Sequence, residues 1–559
     1  MEQDFWVFVR ENIIGRNAVI RTPFGKRKLT YADYTASGRG LLFIERYMQK
    51  VLELYGNTHS EDDATGMITT ERLHQAEKTI KRLLNAGEQY KIIEDGTGAT
   101  GAVHRLQQIL GVYIPPAAKD SFQKLLARYF QGKELKPFES FLLQNRPLVF
   151  VGPYEHHSNE VSWRECLTEG IEIDLTEEGL LDLDDLETKL SRKEFRHRQK
   201  IGALSAASNV SGVVTPVYEV ARVLHRHQAL AFFDFAAIAP YGEIDVCRDA
   251  ESYFDGIYFS PHKFLGGPGS TGILIIHQKI YRKDLAPTIG AGGTVEYVSF
   301  HEQQYYPEIE IREKPGTPGI LQIMRTALVM ELKQKLDPER ILKREKELIR
   351  RALKRFNACN PIEIIGNKDP DKRIAIFSFN IRLGTSYLHP RFVTILLNDL
   401  FGIQSRAGCS CAGPYGHRVL HIDEKKSLKF KERLMHGYSG VKPGWARLNF
   451  HFLMTDEEFD FIFDAICFVC RYGKYFLSLY RFDIHTGIWF NKGYSPPKVT
   501  FGLEEAVRAG EGEREERSLQ ELFGRYKHEA LKIAEALKND FDEKAIKTTE
   551  KDLIPFVYL

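Results

Sequence analysis

The chain has 559 residues, 43% hydrophobic and 27% charged, the make-up of a globular protein large enough for more than one packed unit. Its 77 basic side chains against 75 acidic ones leave a net charge of +2, so no polyanion partner is implied. Short interrupted runs such as Ser191-Arg192-Lys193-Glu194-Phe195-Arg196-His197-Arg198 read as a solvated face rather than a nucleic-acid surface. The seven cysteines do not form a secreted disulfide framework, Met1-Glu2-Gln3-Asp4 lacks a basic n-region, and no apolar run nears the ~20 residues of a spanning helix. A cytoplasmic chain with reduced thiols and no membrane contact is expected.

In chain order, the first expected element is a short strand, Leu29-Thr30-Tyr31, leading through Ala32-Asp33-Tyr34 into the small-residue turn Thr35-Ala36-Ser37-Gly38. After Tyr55-Gly56-Asn57-Thr58-His59-Ser60, a helix carries Leu73, Ala76, Ile80, Leu83 and Leu84 on one face. Ile92-Ile93-Glu94-Asp95 then runs into Gly96-Thr97-Gly98-Ala99-Thr100-Gly101 and a helix with Leu106, Ile109 and Leu110. These glycines satisfy G-x-G-x-x-G, and a strand, tight turn and helix N-terminus can hold any phosphate, so a dinucleotide site is one reading. Against it, the one acid near the ribose-binding offset, Asp120, follows Pro115-Pro116 rather than a second strand. Residues 112–146 read as an inserted, partly helical segment.

Leu148-Val149-Phe150-Val151 is a continuous apolar strand, followed by Glu155-His156-His157-Ser158-Asn159. Adjacent histidines point different ways on most backbones, which argues against a two-histidine metal site. Residues 203–208 form a small-residue strand ending at Ser208-Asn209. Leu230-Ala231-Phe232-Phe233 delivers Asp234 at the end of a run apolar enough for a buried parallel strand, where a carboxylate is costly without a cation. Ile257-Tyr258-Phe259 is a further buried strand, ending at Ser260-Pro261-His262-Lys263, and a turn cluster and the strand Ile273-Leu274-Ile275-Ile276 follow. A lysine partly removed from water, close behind a hydroxyl and an imidazole, suits the nucleophilic amine that a Schiff base requires.

Ser260-Pro261-His262-Lys263 resembles the Ser-Gly-His-Lys signature of fold-type I pyridoxal-phosphate (PLP) enzymes, in the class V aminotransferase and cysteine desulfurase group, with Pro261 in place of the glycine. The resemblance covers roughly residues 30–475. It implies an α/β fold with a mainly parallel seven-stranded sheet carrying PLP, a smaller α+β domain, and beyond them a C-terminal helical extension. The expected divisions are an N-terminal segment (1–30), the PLP-binding domain (31–320), the small domain (321–480) and the extension (481–559), with one long helix over residues 321–357. Residues 512–542 read as an amphipathic helix with Leu519, Leu522, Phe523, Tyr526, Ala530, Ile533 and Leu537 on one stripe, which should dock on the body or on a partner.

By the same resemblance, Lys263 carries PLP as a Schiff base, Asp234 keeps its pyridine nitrogen protonated, His156 stacks on its ring as a catalytic residue, and Asn209 lies near its phenolic oxygen. Ser260, His262, Ala99 and Thr100 hold the phosphate. Thr294, in Gly290-Ala291-Gly292-Gly293-Thr294, contributes to the phosphate site of a second subunit in a homodimer. Ile403-Gln404-Ser405-Arg406-Ala407-Gly408-Cys409-Ser410-Cys411-Ala412 resembles the desulfurase Arg-x-Gly-x-x-Cys-Ala segment, placing Cys411 in the nucleophile's position, with Arg406 able to lower its pKa. Arg447, in Trp445-Ala446-Arg447-Leu448-Asn449, falls where the family binds the substrate α-carboxylate, to which a guanidinium fork is suited. Asn57 and Arg406 are carried over as further substrate-binding residues.

Three departures stand out: Gly101 where the group commonly has Glu, Ala237 in place of Gln, and a longer stretch at residues 421–442 that is expected to shape the substrate pocket. The implied function is carbon–sulfur or carbon–selenium cleavage of an amino-acid substrate, giving alanine and an enzyme persulfide for a sulfur-acceptor protein. The alternatives are a class V aminotransferase, another PLP-dependent lyase, or a non-enzymatic sulfur-carrier or metal scaffold built on Cys409 and Cys411. Cys467 and Cys470 lie in an apolar helical run and read as core packing, and no metal is expected.

Overall fold

Runs of β-branched and aromatic residues too apolar to leave either face in water build most of the sheet of the larger unit. In chain order its strands are β1 (Tyr90–Asp95), β2 (Leu148–Val151), β3 (Glu169–Glu172), β4 (Lys200–Ser205), β5 (Leu230–Asp234), β6 (Gly256–Phe259) and β7 (Gly272–His277). They lie in the order β1-β7-β6-β5-β4-β2-β3. Only β7 runs antiparallel to its neighbours. Every residue of β2, β4 and β6 is buried, as the two-sided cover of a parallel sheet demands. Parallel pairing sets the C-terminal ends of three strands level, with Ser205 opposite Asp234 and Asp234 opposite Tyr258. The dinucleotide reading of Gly96 to Gly101 fails here. That motif requires a strand inside a parallel sheet, whereas β1 is an outer strand held by antiparallel β7.

The computed structural model describes all residues except 1, 59–61, 97, 131–134, 509 and 511, so His59, Ser60 and Thr97 of the sequence motifs lie outside the described residues. The chain divides into two units, one of Ser37–Ser208 with Val213–Leu342 and the other of Met1–Ala36 with Asn209–Gly212 and Lys343–Leu559. The inserted segment of the first unit forms helices Pro116–Tyr129 and Leu135–Asn145, and the former buries none of its residues.

The second unit is built on β8 (Ile362–Ile364), β9 (Ile376–Leu383), β10 (Ser386–Leu388), β11 (Arg406–Gly408), β12 (Trp445–Asn449), β13 (Lys547–Thr548) and β14 (Phe556–Tyr558). Its sheet runs β11-β12-β9-β10-β14-β13, with β8 also on β9. These divisions differ from the expected ones for visible reasons. Thr30–Tyr31 pairs in parallel with Ile403–Gln404, which ties the first 36 residues to this unit. The chain end pairs with β10 through Phe556 and Val557, so residues 481–559 are not a separate body. The single helix expected over residues 321–357 is two, α2 (Ile320–Lys335) and α3 (Pro338–Ala358). Asp337 at φ +69° breaks the run just before Pro338, a residue that starts a helix readily but cannot continue one.

The amphipathic C-terminal stripe forms α5 (Leu519–Asn539), which lies on α4 (Asp456–Tyr472) of the same unit. The Phe523 ring stacks on Phe461 with centroids 3.5 Å apart and planes 3° from parallel. The Tyr526 hydroxyl accepts from the Lys28 backbone N–H at 2.9 Å, and Arg27 pairs with Glu529 at 2.9 Å. The buried register includes Ala534 in place of Ile533 and Leu537, which stay partly exposed. Phe523→Ala is therefore expected to destabilise this unit by about 3–5 kcal/mol, as other buried aromatic truncations do. Thermal and urea unfolding measure it, and a loss under about 1 kcal/mol, the scale of a surface substitution, would show that α5 is peripheral.

Candidate active site

In the larger unit, the residues singled out by sequence gather at the C-terminal ends of β4 to β6. Asp234 is 5% exposed, and its Oδ1 accepts from the Ala236 N–H at 2.8 Å. Burial raises its carboxyl above the ordinary 3.8, and the nearby Lys263 charge offsets part of that rise. Lys263 ends the short 3-10 turn Pro261–Lys263 that follows β6. Proline suits the first position of such a turn, which is why Pro261 is accommodated where the family has glycine. The turn is gripped from outside: Gly38 N–H donates to the His262 carbonyl at 2.9 Å, and a Cβ at Gly38 would come within 1.9 Å of the Phe264 carbonyl oxygen. Only glycine allows that approach. Burial, then the Lys263 charge, pushes His262 down to about 4, so its imidazole is neutral at neutral pH.

The start of α1 (Gly98–Ile109) meets the same corner. Gly98 has φ +64°, and Ala99 N–H donates to Ser260 Oγ at 2.8 Å. Thr100 Oγ1 lies 2.7 Å from Ser158 Oγ, which in turn lies 3.0 Å from His156 Nδ1. Because the Ser158 N–H also donates to Nδ1 at 3.2 Å, the neutral His156 ring carries its proton on Nε2.

Sequence reasoning passed over Glu155, next to His156. Its carboxylate is buried, accepting from the backbone N–H groups of Gly152 and Ser205, from Ser205 Oγ and from Asn159 Nδ2. Burial pushes it up to about 8 despite those bonds. Glu155 thus ties the loop bearing His156 to the end of β4, and Asn159 extends the network to the Tyr258 hydroxyl on β6. The one available signal was an acid directly after a fully apolar strand.

Two other expected members have neighbours of their own. Asn57 is exposed and donates to Thr317 Oγ1 at 3.1 Å. Thr294 is fully buried with its hydroxyl bonded to the Ala291 carbonyl at 2.7 Å, closing its own turn.

The smaller unit holds the remaining candidates. Arg406 on β11 and Arg447 on β12 are directly opposed, an arrangement that like charges disfavour. Asp33 resolves it: Oδ2 takes Arg406 Nε at 3.1 Å and Oδ1 takes Arg447 Nη2 at 3.2 Å. Arg447 is 3% exposed and its Nη1 donates to the Asn209 carbonyl at 2.9 Å, while its buried Nε has no hydrogen-bond partner among the described residues. Burial lowers its pKa and the Asp33 charge raises it. Asp33 belongs to the early loop that sequence alone could not weigh.

Asn209 also donates through Nδ2 to the Ser410 carbonyl at 2.7 Å, and Trp445 Nε1 donates to Ser410 Oγ at 3.1 Å. These bonds hold Ser410 and Cys411 at φ +52° and +54°, two consecutive left-handed residues that are not glycine. Such a conformation costs about 1–3 kcal/mol per residue and persists only where its surroundings enforce it. Cys411 is exposed and Cys409 half-buried.

Residues 138–461 match the aminotransferase class-V family model, more than half of the chain, and the chain belongs to that family. It is a PLP-dependent enzyme of fold type I. A probable cysteine desulfurase of Halalkalibacterium halodurans is 27% identical over 391 residues, spanning 69% of this chain and 84% of its own. The apo cysteine desulfurase of Thermococcus onnurineus NA1 shares the fold with a TM-score of 0.63 at 21% identity, over 83% of this chain and 98% of that one. The S-sulfonic acid form of the cysteine desulfurase CsdA of Escherichia coli gives 0.60 at 20% identity, over 83% and 97%.

The residues present fit PLP. A buried carboxylate whose ionisation is costly would be matched by a pyridinium N–H, and the N-terminus of α1 beside Ser260 and a neutral His262 suits a phosphate. A carboxyl whose folded pKa is raised binds protons more tightly in the folded than in the unfolded state, so its ionisation above pH 3.8 subtracts from stability. Asp234→Asn, which keeps the bond to Ala236, is expected to raise the melting temperature of the cofactor-stripped protein near neutral pH by a few degrees. The gain should shrink as pH falls toward 4, near the ordinary carboxylate range. Equal or lower melting temperatures at pH 7 would contradict that origin of the cost.

Proposed function

We propose that the protein is a cysteine desulfurase, taking sulfur from free cysteine onto Cys411 and releasing alanine. The observation that carries this reading is the exposed Cys411 thiol, presented on an enforced left-handed turn whose preceding carbonyl is held by Asn209, the residue that also positions Arg447. An aminotransferase has no use for such a thiol. The cysteine desulfurase names of the relatives support the same assignment.

When bound, PLP supplies an electron sink for the charge left at the substrate α-carbon. The roles proposed for the chain's own groups are those that the family resemblance implies for these positions. The Lys263 amine holds the cofactor and then moves the proton at that carbon. Asp234 would hold the ring nitrogen of the cofactor, and His156, fixed through Nδ1 by Ser158, would support its ring. Asn209 is assigned beside the cofactor's phenolic oxygen. Ser260, His262, Ala99 and Thr100 hold the phosphate. The Arg447 guanidinium, held by Asp33 through Nη2 and by the Asn209 carbonyl through Nη1, is assigned to the substrate carboxylate, with Arg406 supporting the local positive charge. The Cys411 thiolate then forms an S–S bond to the substrate sulfur as the C–S bond breaks, and its exposure opens the resulting persulfide to a sulfur-acceptor protein.

Cys411→Ser should cut cysteine-dependent sulfide and alanine release by about 10²-fold or more, the scale of losing a reacting group. Visible absorbance of the bound cofactor should survive in that variant. Unchanged release would move the assignment to another PLP-dependent lyase, and activity confined to amino transfer onto a keto acid would move it to an aminotransferase. Borohydride reduction of the wild-type holoenzyme followed by peptide mass spectrometry should mark Lys263, and an unmodified Lys263 would remove the central residue of the scheme.

We also propose a homodimer. Directly after Thr294, the hairpin of Val295–Val298 and Gln303–Tyr305 exposes Tyr297, Val298 and Phe300, apolar side chains that a second copy would cover. Sedimentation should give twice the 64.2 kDa of the chain, and a fully active monomer would exclude it.

A further inference from the structure

Away from these residues, the smaller unit gathers three thiols that the proposed chemistry does not use. Cys359 follows the end of helix Pro338–Ala358, its N–H donating to the Phe356 carbonyl at 3.0 Å. Cys467 and Cys470 stand one turn apart on α4 and share a face. The sequence placed that pair in the core, but all three cysteines are only half-buried. Cys359 Sγ and Cys467 Sγ are 2.6 Å apart, about half an ångström beyond a covalent S–S bond.

This meeting rests on rigid neighbours. One turn back, Arg355 pairs with Asp460 and Asp464 of α4, and the Phe356 and Phe463 rings pack edge to face at 4.8 Å. Burial, with Cys359 as hydrogen-bond partner, pushes the Cys467 thiol up to about 12, and the Cys470 thiol is raised as well, by burial and then by Cys467 and Cys359. Cys470 lies one turn beyond Cys467 on the same face of α4.

We propose that Cys359 and Cys467 form a reversible disulfide, with Cys470 as the third thiol that exchanges with it. The oxidant is a small-molecule disulfide. One cysteine thiolate attacks it and releases one small thiol, and the second cysteine attacks the mixed disulfide and releases the other. Two protein S–H bonds and one small-molecule S–S bond are thus replaced by one protein S–S bond and two small-molecule S–H bonds. The link would close a covalent loop over residues 360–466, which contain Arg406, Cys411 and Arg447. The inference is independent of the reaction assigned above, since it uses none of those side chains.

The test uses the full-length chain with PLP, carrying Cys411→Ser so that the exposed thiol does not compete. The protein is equilibrated with glutathione and glutathione disulfide at graded ratios, blocked with N-ethylmaleimide and digested with trypsin without reduction. The expected product joins peptide 356–368 to peptide 448–471, with fragmentation placing the link at Cys467 or, after exchange, at Cys470. Dithiothreitol should abolish it. Oxidation should also raise the melting temperature by several degrees, and adding Cys359→Ser should cancel that rise. Recovery of Cys359 as the fully blocked thiol, or only as its glutathione adduct, at ratios that oxidise Cys409 would overturn the proposal.

Discussion

The larger unit depends on strand ends held level. Because β4, β5 and β6 pair in parallel with Ser205, Asp234 and Tyr258 in register, each chain segment leaving the sheet starts from the same edge. That constraint is why a carboxylate, a serine and a lysine distant in sequence come close enough for Lys263 to act on the ionisation of Asp234. It also explains the location of buried cost. Glu155 and Asp234 are both carboxyls that burial makes reluctant to ionise, and both sit where the sheet stops and loops begin. Polar groups with tasks belong at that edge, since the strand interiors are sealed on two faces.

In the smaller unit the constraint is charge. Two arginines opposed across a strand pair would repel unless an anion lay between them, and Asp33 reaches in from the first 36 residues to provide it. The early chain therefore completes a charge cluster whose other members come some 370 to 410 positions later, with separations of 373 and 414 residues. The parallel pairing of Thr30–Tyr31 with Ile403–Gln404 is the backbone expression of the same requirement.

Those separations decide what could be read beforehand. Continuous apolar runs announce buried parallel strands, so most of the sheet and the residues at its ends, Asp234 and Lys263, were legible. A partner fixed by tertiary contact leaves no local mark. Asp33 looks like any turn aspartate, Glu155 like any loop acid, and Cys359 carries no hint of Cys467. The break at Asp337 is different, because Pro338 was visible and the apolar periodicity on either side hid it. The C-terminal stripe was recognised, yet its register was set by the fit of Phe523 on Phe461 rather than by hydrophobicity, which left Ile533 and Leu537 at the margin.

Asn209 has a consequence that reaches beyond its own bonds. Its amide side chain holds the turn that displays Cys411, whereas its main-chain carbonyl receives Arg447. Substitution can remove the first connection but not the second, since every amino acid brings the same carbonyl. Drift at this position would therefore erode the display of the thiol while leaving the guanidinium in place, so the two groups are unequally exposed to mutation.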